Sequence, residues 1–151
     1  MYAAGDIEDA FLSALEPLRE AGTVRTLESY GGQLSEEELK KGTPRFPAVY
    51  VIWGGTEIQE VNRLDQLRAQ VSVIVCDRSL RGEAAARRGA PEAPGVYAVL
   101  EQARGLLHRR AVLAGWSTAR LLREGPLAYD REGGLAIYEA VYEVKRMAQG
   151  A

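Results

Sequence analysis

The chain is short of the residues on which most protein chemistry depends. Among its 151 residues there is one histidine, His108, and one cysteine, Cys76. A lone cysteine forms no intrachain disulfide, so oxidative export is not indicated. One histidine with one cysteine cannot complete the usual zinc sets. Nucleophilic catalysis needs a nucleophile beside a base, and near neutrality that base is most often histidine. His108 instead ends a helical pattern, where the dipole favours a cation or a donor. Cys76 sits inside an apolar, strand-like run and reads as a small core residue. The pairs Gly31-Gly32 and Gly54-Gly55 follow strand-like runs but lack the spacing and the lysine of a phosphate loop. Glu36, Glu37 and Glu38 are consecutive, so on a helix they point in different directions, as a solvated capping turn does, rather than converging on a cation. No enzyme activity, metal or cofactor is expected.

Long apolar runs are missing too. The longest, such as AVYVIW, fall far below the ~20 residues needed to cross a bilayer. The N-terminal MYAAGDIEDAFLSAL has no basic leader and carries acids among its apolar residues, unlike a signal peptide. Neither sign of charge dominates, with 19 Lys+Arg against 21 Asp+Glu and a net charge of −2. The pI near 5.6 argues against general nucleic-acid binding, which goes with a strongly basic domain. There is no internal repeat, low-complexity tract or interdomain linker. The expectation is one soluble intracellular domain over residues 1–151, with no membrane partner. Apolar residues at 46% and charged ones at 26% suit that class.

What is present is a regular alternation of patterns. Ile7, Ala10, Phe11, Ala14, Leu15 and Leu18 recur at helical spacing, with Asp6 as the expected N-cap. Pro17 is expected to kink or end this helix near Leu15, and Gly22 closes the segment. TVRTLESY (23–30) suits a short strand, broken by Gly31-Gly32. Ser35 and Glu38 form a capping box for one or two helical turns ending at Gly42. PAVYVIWGG (47–55) is β-branched and aromatic with both faces apolar, Val49, Val51 and Trp53 against Tyr50 and Ile52. A second such strand runs from Leu64 to Asp77, with Thr56 to Asn62 as the connecting hairpin. GVYAVLEQARGLLHRR is a helix with the stripe Val96, Val99, Leu100, Ala103, Leu106 and Leu107. In residues 111–130, Leu121 and Leu122 end a short strand or turn before Gly125-Pro126. The Leu127–Arg131 run can pair across the Gly133-Gly134 turn with LAIYEAVYEVKRM, where Ile137, Glu139, Val141 and Glu143 alternate with Tyr138, Ala140, Tyr142 and Val144. This order predicts an α+β fold: a single-layer, mainly antiparallel sheet with helices packed on one face.

One stretch stands apart. RSLRGEAAARRGAPEAPG (78–95) holds Arg78, Arg81, Arg87 and Arg88 against Glu83 and Glu92, a formal charge of +2 inside an acidic chain. Glu83 to Arg88 is alanine-rich and fits about one and a half helical turns, with Glu83 and Arg87 in the favourable i,i+4 order. The prolines beyond Gly89 continue no helix. Such a segment is expected to bury little of its own surface and to be mobile in an isolated monomer. A connection of about 17 residues is long for a compact domain. It is a solvated surface loop, a contact for a neighbouring subunit, or an arm for DNA. Arginine favours interfaces because its planar fork pairs bidentately with carboxylates.

The ordered set IEDAFLSAL, LESYGGQL, RFPAVYVIWGG, SLRGEAAARRG followed by GVYAVLEQARGLL, and GGLAIYEAVYEV resembles the tail terminator proteins of Mu-like contractile phages and prophages, over roughly Asp6 to Met147. The resemblance implies a non-enzymatic structural protein. It would form a ring, usually a hexamer, on the finished tail tube, stop further addition of tube and sheath subunits, and prepare head–tail joining. Its implied partners are copies of itself, the tail tube and sheath proteins, and neck or head-completion proteins, with no specific nucleic acid. It would act in the host cytoplasm during assembly and then at the head-proximal end of the virion tail. Arg78, Arg81, Glu83, Arg87 and Arg88 become candidate interface residues. The alternatives are another neck or head-completion protein, or a nucleic-acid-binding protein that uses the arginine-rich loop.

Overall fold

The computed structural model describes residues 2–91, 93–130 and 133–149. In chain order these form α1 (Ala4–Glu20), β1 (Thr26–Ser29), α2 (Glu36–Lys40), β2 (Ala48–Val61), β3 (Leu64–Arg78), α3 (Glu83–Arg88), α4 (Val96–Leu107), β4 (Arg120–Asp130) and β5 (Leu135–Gln149). The strands make one five-stranded sheet in the order β1-β2-β3-β5-β4. The class is α+β, and the sheet is mixed. β1 lies parallel to β2, while β2–β3, β3–β5 and β5–β4 are antiparallel.

Helix α1 buries Ile7, Phe11, Leu15 and Leu18, the stripe that its spacing predicts. Two details differ from expectation. The helix starts at Ala4, with Ala3 at the cap position making no side-chain bond, and Asp6 lies in the first turn, where its charge meets the helix dipole. Nor does Pro17 end the helix, which continues to Glu20. Ser13 and Pro17 are both exposed, so the Ser13 carbonyl deprived of its N–H partner lies on the solvent side, where water replaces the bond.

The main core joins α1, Ala86 of α3, and Val96, Val99, Leu100, Ala103 and Leu107 of α4 to one sheet face. That face is built by Val49 and Val51, by Val71, Val73 and Val75, and by Tyr138, Ala140, Tyr142 and Val144. A second cluster on the opposite face gathers Ala48, Tyr50, Ile74, Cys76, Leu135 and Ile137 under Leu34, Leu39 and Phe46. The expectation of helices on one face therefore holds for α1, α3 and α4 but not for α2. The two-sided apolar pattern of β2 demanded a cover on both sides, and the segment carrying α2 supplies the second. Ser35 caps α2 through the bond from Glu38 N to its hydroxyl (3.3 Å), as the capping box predicts.

Two strands run further than their sequences suggest. β2 continues through Gly54-Gly55, where the register shifts by a bulge, and Gly55 takes φ +114°. Thr56–Val61 is thus strand, not connection. The hairpin turn is Asn62-Arg63 alone, both at positive φ (52° and 65°), the twist-matched geometry of a two-residue turn. β4 likewise runs as one strand through Gly125-Pro126, with register shifts at Leu121/Arg123 and Pro126/Ala128. It is an edge strand, so the missing Pro126 N–H costs no ladder bond. Tyr129 to Asp130 pair with Ala136 to Leu135, as the expected hairpin requires, while Arg131 lies outside the described residues.

β1 covers only Ala48 to Val51 of β2. Where it stops, a carboxylate from α1 takes over. Glu8 Oε2 accepts from the Trp53 backbone N–H (2.9 Å) and Glu8 Oε1 from the Ser29 hydroxyl (2.7 Å). One side chain so ties the helix to both strands.

Candidate interaction surface

The arginine-bearing stretch begins where β3 leaves the sheet. Ser79 N–H bonds to the Gly134 carbonyl (2.9 Å) and Gly82 N–H to the Ser79 carbonyl (3.0 Å). This tight turn pushes Leu80 out to full exposure, with a relative accessibility of 107%. α3 follows over the residues expected for it, and it is seated rather than loose. Ala86 is fully buried against α4 and the sheet. Beyond α3 the chain folds back on itself. Ala90 and Ala93 exchange backbone bonds (3.0 and 3.1 Å), and a Cβ on Gly95 would strike the backbone nitrogen of Gly89. The alanines and glycines of this stretch permit that close crossing. The stretch therefore buries more surface than its composition suggests.

The structure divides the five candidate residues. Glu83 Oε1 accepts from Arg87 Nε (2.9 Å), and Arg87 Nη1 donates to the Tyr97 hydroxyl (3.1 Å), itself 3.2 Å from the Tyr138 hydroxyl. The Arg87 guanidinium also lies 5.7 Å from the centre of the Tyr97 ring. Bonds from Tyr138 and then from Arg87 draw the Tyr97 hydroxyl below its ordinary pKa. Glu83 and Arg87 thus fasten α3 to α4 and β5. Beside them Arg104 Nη2 meets Glu124 Oε1 at 2.8 Å. Arg78 lies on the other side of the sheet, 5.5 Å from the Phe46 ring centre. It lines a groove of about 600 Å³ with Leu34, Leu39, Ala128, Leu135 and Ile137. Arg81, next to the projecting Leu80, and Arg88, the last residue of α3, are exposed.

Several features had no clear signal in the sequence. The face of β3, β5 and β4 away from α1 and α4 carries a charge ladder. Arg68 and Lys145 approach the buried Glu143 (3.5 and 3.7 Å), and Arg123 pairs with Glu139 at 2.8 Å. The alternation of Glu139 and Glu143 with apolar neighbours hinted at this face but not at its partners. His108 closes α4 as expected. Its Nδ1 accepts from the Leu121 backbone N–H (3.0 Å), which fixes the start of β4. Cys76 is fully buried, its thiol bonded to the Ala48 carbonyl (3.7 Å), and burial pushes its pKa up. Among the described residues no three His, Cys, Asp or Glu side chains gather as a metal site. No described helix is long and apolar enough to cross a membrane.

Comparison with known proteins gives two findings. A family model described as Bacteriophage Mu, Gp37 matches residues 4–146. Among solved structures, the chain is similar to one from the virion of a native gene transfer agent particle. The TM-score is 0.61 at 12% identity, covering 98% of this chain and 100% of that one. A search of curated proteins returns no match.

Proposed function

The chain belongs to the Bacteriophage Mu Gp37 family, and from that premise we propose that it is a non-enzymatic virion subunit that forms a ring on the end of the tail tube, ends tube and sheath growth, and presents a surface for head joining. The observation that carries this reading is the pairing of that family match with a shared fold over the whole of a chain from a phage-like particle. The ring, usually hexameric, follows from the resemblance of the ordered sequence motifs to tail terminators.

The site residues support a division of labour. Glu83 and Arg87 are spent inside the subunit on Tyr97 and each other, so they shape the contact surface. Leu80, Arg81 and Arg88 are exposed, and in this reading they face the tube or the neck. An exposed apolar tip beside an arginine suits a protein interface with an anchoring centre and a charged rim.

The test is direct. Purified protein is added to polymerising tail tube subunits, and tube ends are imaged by electron microscopy. Ring-capped ends and arrested growth are expected, and Leu80→Asp with Arg81→Glu should lose both while keeping the wild-type fold. Tubes that grow to the same lengths with no end rings would contradict the reading. Retention of DNA by the wild-type protein at low salt, lost with Arg81→Glu and Arg88→Glu while capping persists, would favour the nucleic-acid alternative, whose phosphate contacts weaken steeply with salt.

A further inference from the structure

The sheet has two unpaired stretches of edge on opposite sides. β1 covers β2 only to Val51, and Glu8 occupies the Trp53 N–H, so the outer edge from Gly54 to Val61 has no described strand beside it. At the far side, β4 is the last strand of the order; Arg109, Arg110 and His108 take the outward backbone groups of Ala119 and Leu121 at its start, and beyond them its outer edge has no described strand beside it. Unpaired edges are templates for strand addition.

Strand direction and charge make these two edges complementary. Since β2–β3, β3–β5 and β5–β4 are all antiparallel, β2 and β4 run in opposite directions. A second copy set beside β4 in the same orientation therefore offers its β2 antiparallel, in the more stable of the two ladders. The β2 edge carries exposed Glu57 and Glu60 with Ile58, which is 54% exposed. The first half of β4 carries exposed Arg120 with Leu122, after exposed Arg109 and Arg110, and exposed Arg123, which also reaches Glu139, while Glu124 is engaged by Arg104. Glu57 stands opposite Arg68, whose guanidinium reaches Glu143, and Arg120 stands opposite Glu143. Glu57 and Arg120 thus lie on the same face, the one away from α1 and α4, where a joined sheet brings them together. Pro126 and the bulge after it end the usable edge and the His108 bond to the Leu121 N–H bounds its start, which confines pairing to Leu122–Gly125.

We infer that the acidic β2 edge of one copy adds to the basic β4 edge of the next, a head-to-tail contact that continues the sheet from subunit to subunit. Repeated by rotation, such a contact closes into a ring; that closure rests on the ring reading above, whereas the contact itself does not.

Two charge-swapped proteins test it, Glu57→Lys with Glu60→Lys, and Arg120→Glu with Arg123→Glu. Sedimentation at low salt and high concentration compares wild type, each variant and their equal mixture, with thermal melts to verify folding. Wild type should self-associate, and each variant alone should do so ~10-fold or more weakly, because like charges then face each other. The mixture should recover assembly by alternating the two proteins. Should the double variants fail to fold, Glu57→Lys and Arg120→Glu alone carry the same test, since neither touches an ion pair named here. A wild type that stays monomeric throughout, variants that assemble like wild type, or a mixture no better than its parts would each overturn the edge contact. Variants that still form rings on tube ends would overturn it while leaving the capping reading intact. Edge-dependent assembly with uncapped tubes would do the reverse.

Discussion

Glu8 shows how much one exposed-looking acid can do. In the sequence it is a polar residue on the outer side of an amphipathic helix. In the fold its two oxygens serve the Trp53 N–H and the Ser29 hydroxyl. Removing such a partner leaves a part-buried backbone donor unsatisfied, at about 1–3 kcal/mol. Glu8→Ala should therefore lower the urea midpoint by a corresponding amount, and Glu8→Gln, which keeps one acceptor, should lose less. Asp77 makes a second case. It is 4% exposed, accepts from the Arg78 N–H (2.8 Å), and has its pKa raised chiefly by burial. A carboxyl whose folded pKa lies above its unfolded value contributes stability that is complete below the unfolded value, about 3.9, and lost as pH rises through the raised one. Asp77→Asn keeps the acceptor without the charge. Relative to wild type, the variant should gain stability between pH 4 and pH 7, read as the difference in urea midpoints; a gain in the opposite direction would refute the assignment. Neither role was legible in the sequence, because both depend on what elements from elsewhere in the chain bring beside these side chains.

At the scale of elements the sequence is far more readable. The apolar stripes of α1 and α4, the two-sided apolar strand β2, the capping box of α2 and the six-residue α3 all stand where periodicity and composition put them. What misled were the breakers. Pro17, Gly54-Gly55 and Gly125-Pro126 each suggest an end, and each is absorbed: on the solvent side of a helix, in a bulge, and on a sheet edge. Local rules describe the cost of a residue, and tertiary position decides whether that cost matters. The cost remains measurable. Pro17→Ala restores the bond to the exposed Ser13 carbonyl and should raise stability by about 1 kcal/mol or more, seen as a higher melting temperature with unchanged helix packing. A loss of stability would mean that Pro17 is needed for the turn into Gly22. The parallel pairing of β1 with β2 was not legible either, since strand patterns carry no direction. That α2 covers the second face follows only once the order of strands is known.

For the whole molecule, the candidate surface was half visible. The arginine-rich stretch was conspicuous by charge, and the structure sorts its members into those that hold the subunit together and those that face outward. The projecting Leu80 and the two free sheet edges were not visible, because exposure and edge position are properties of the assembled sheet. In the proposed reading they give the subunit two kinds of surface: edges for copies of itself, and the end bearing Leu80 and Arg81 for another component. That combination is what a ring seated on a tube requires. The most direct test is tail length in particles assembled with and without the protein, measured by electron microscopy. The account predicts tails of uniform length with a ring at one end when the protein is present, and overgrown, uncapped tails of variable length when it is absent. Uniform tails of unchanged length in its absence would contradict it.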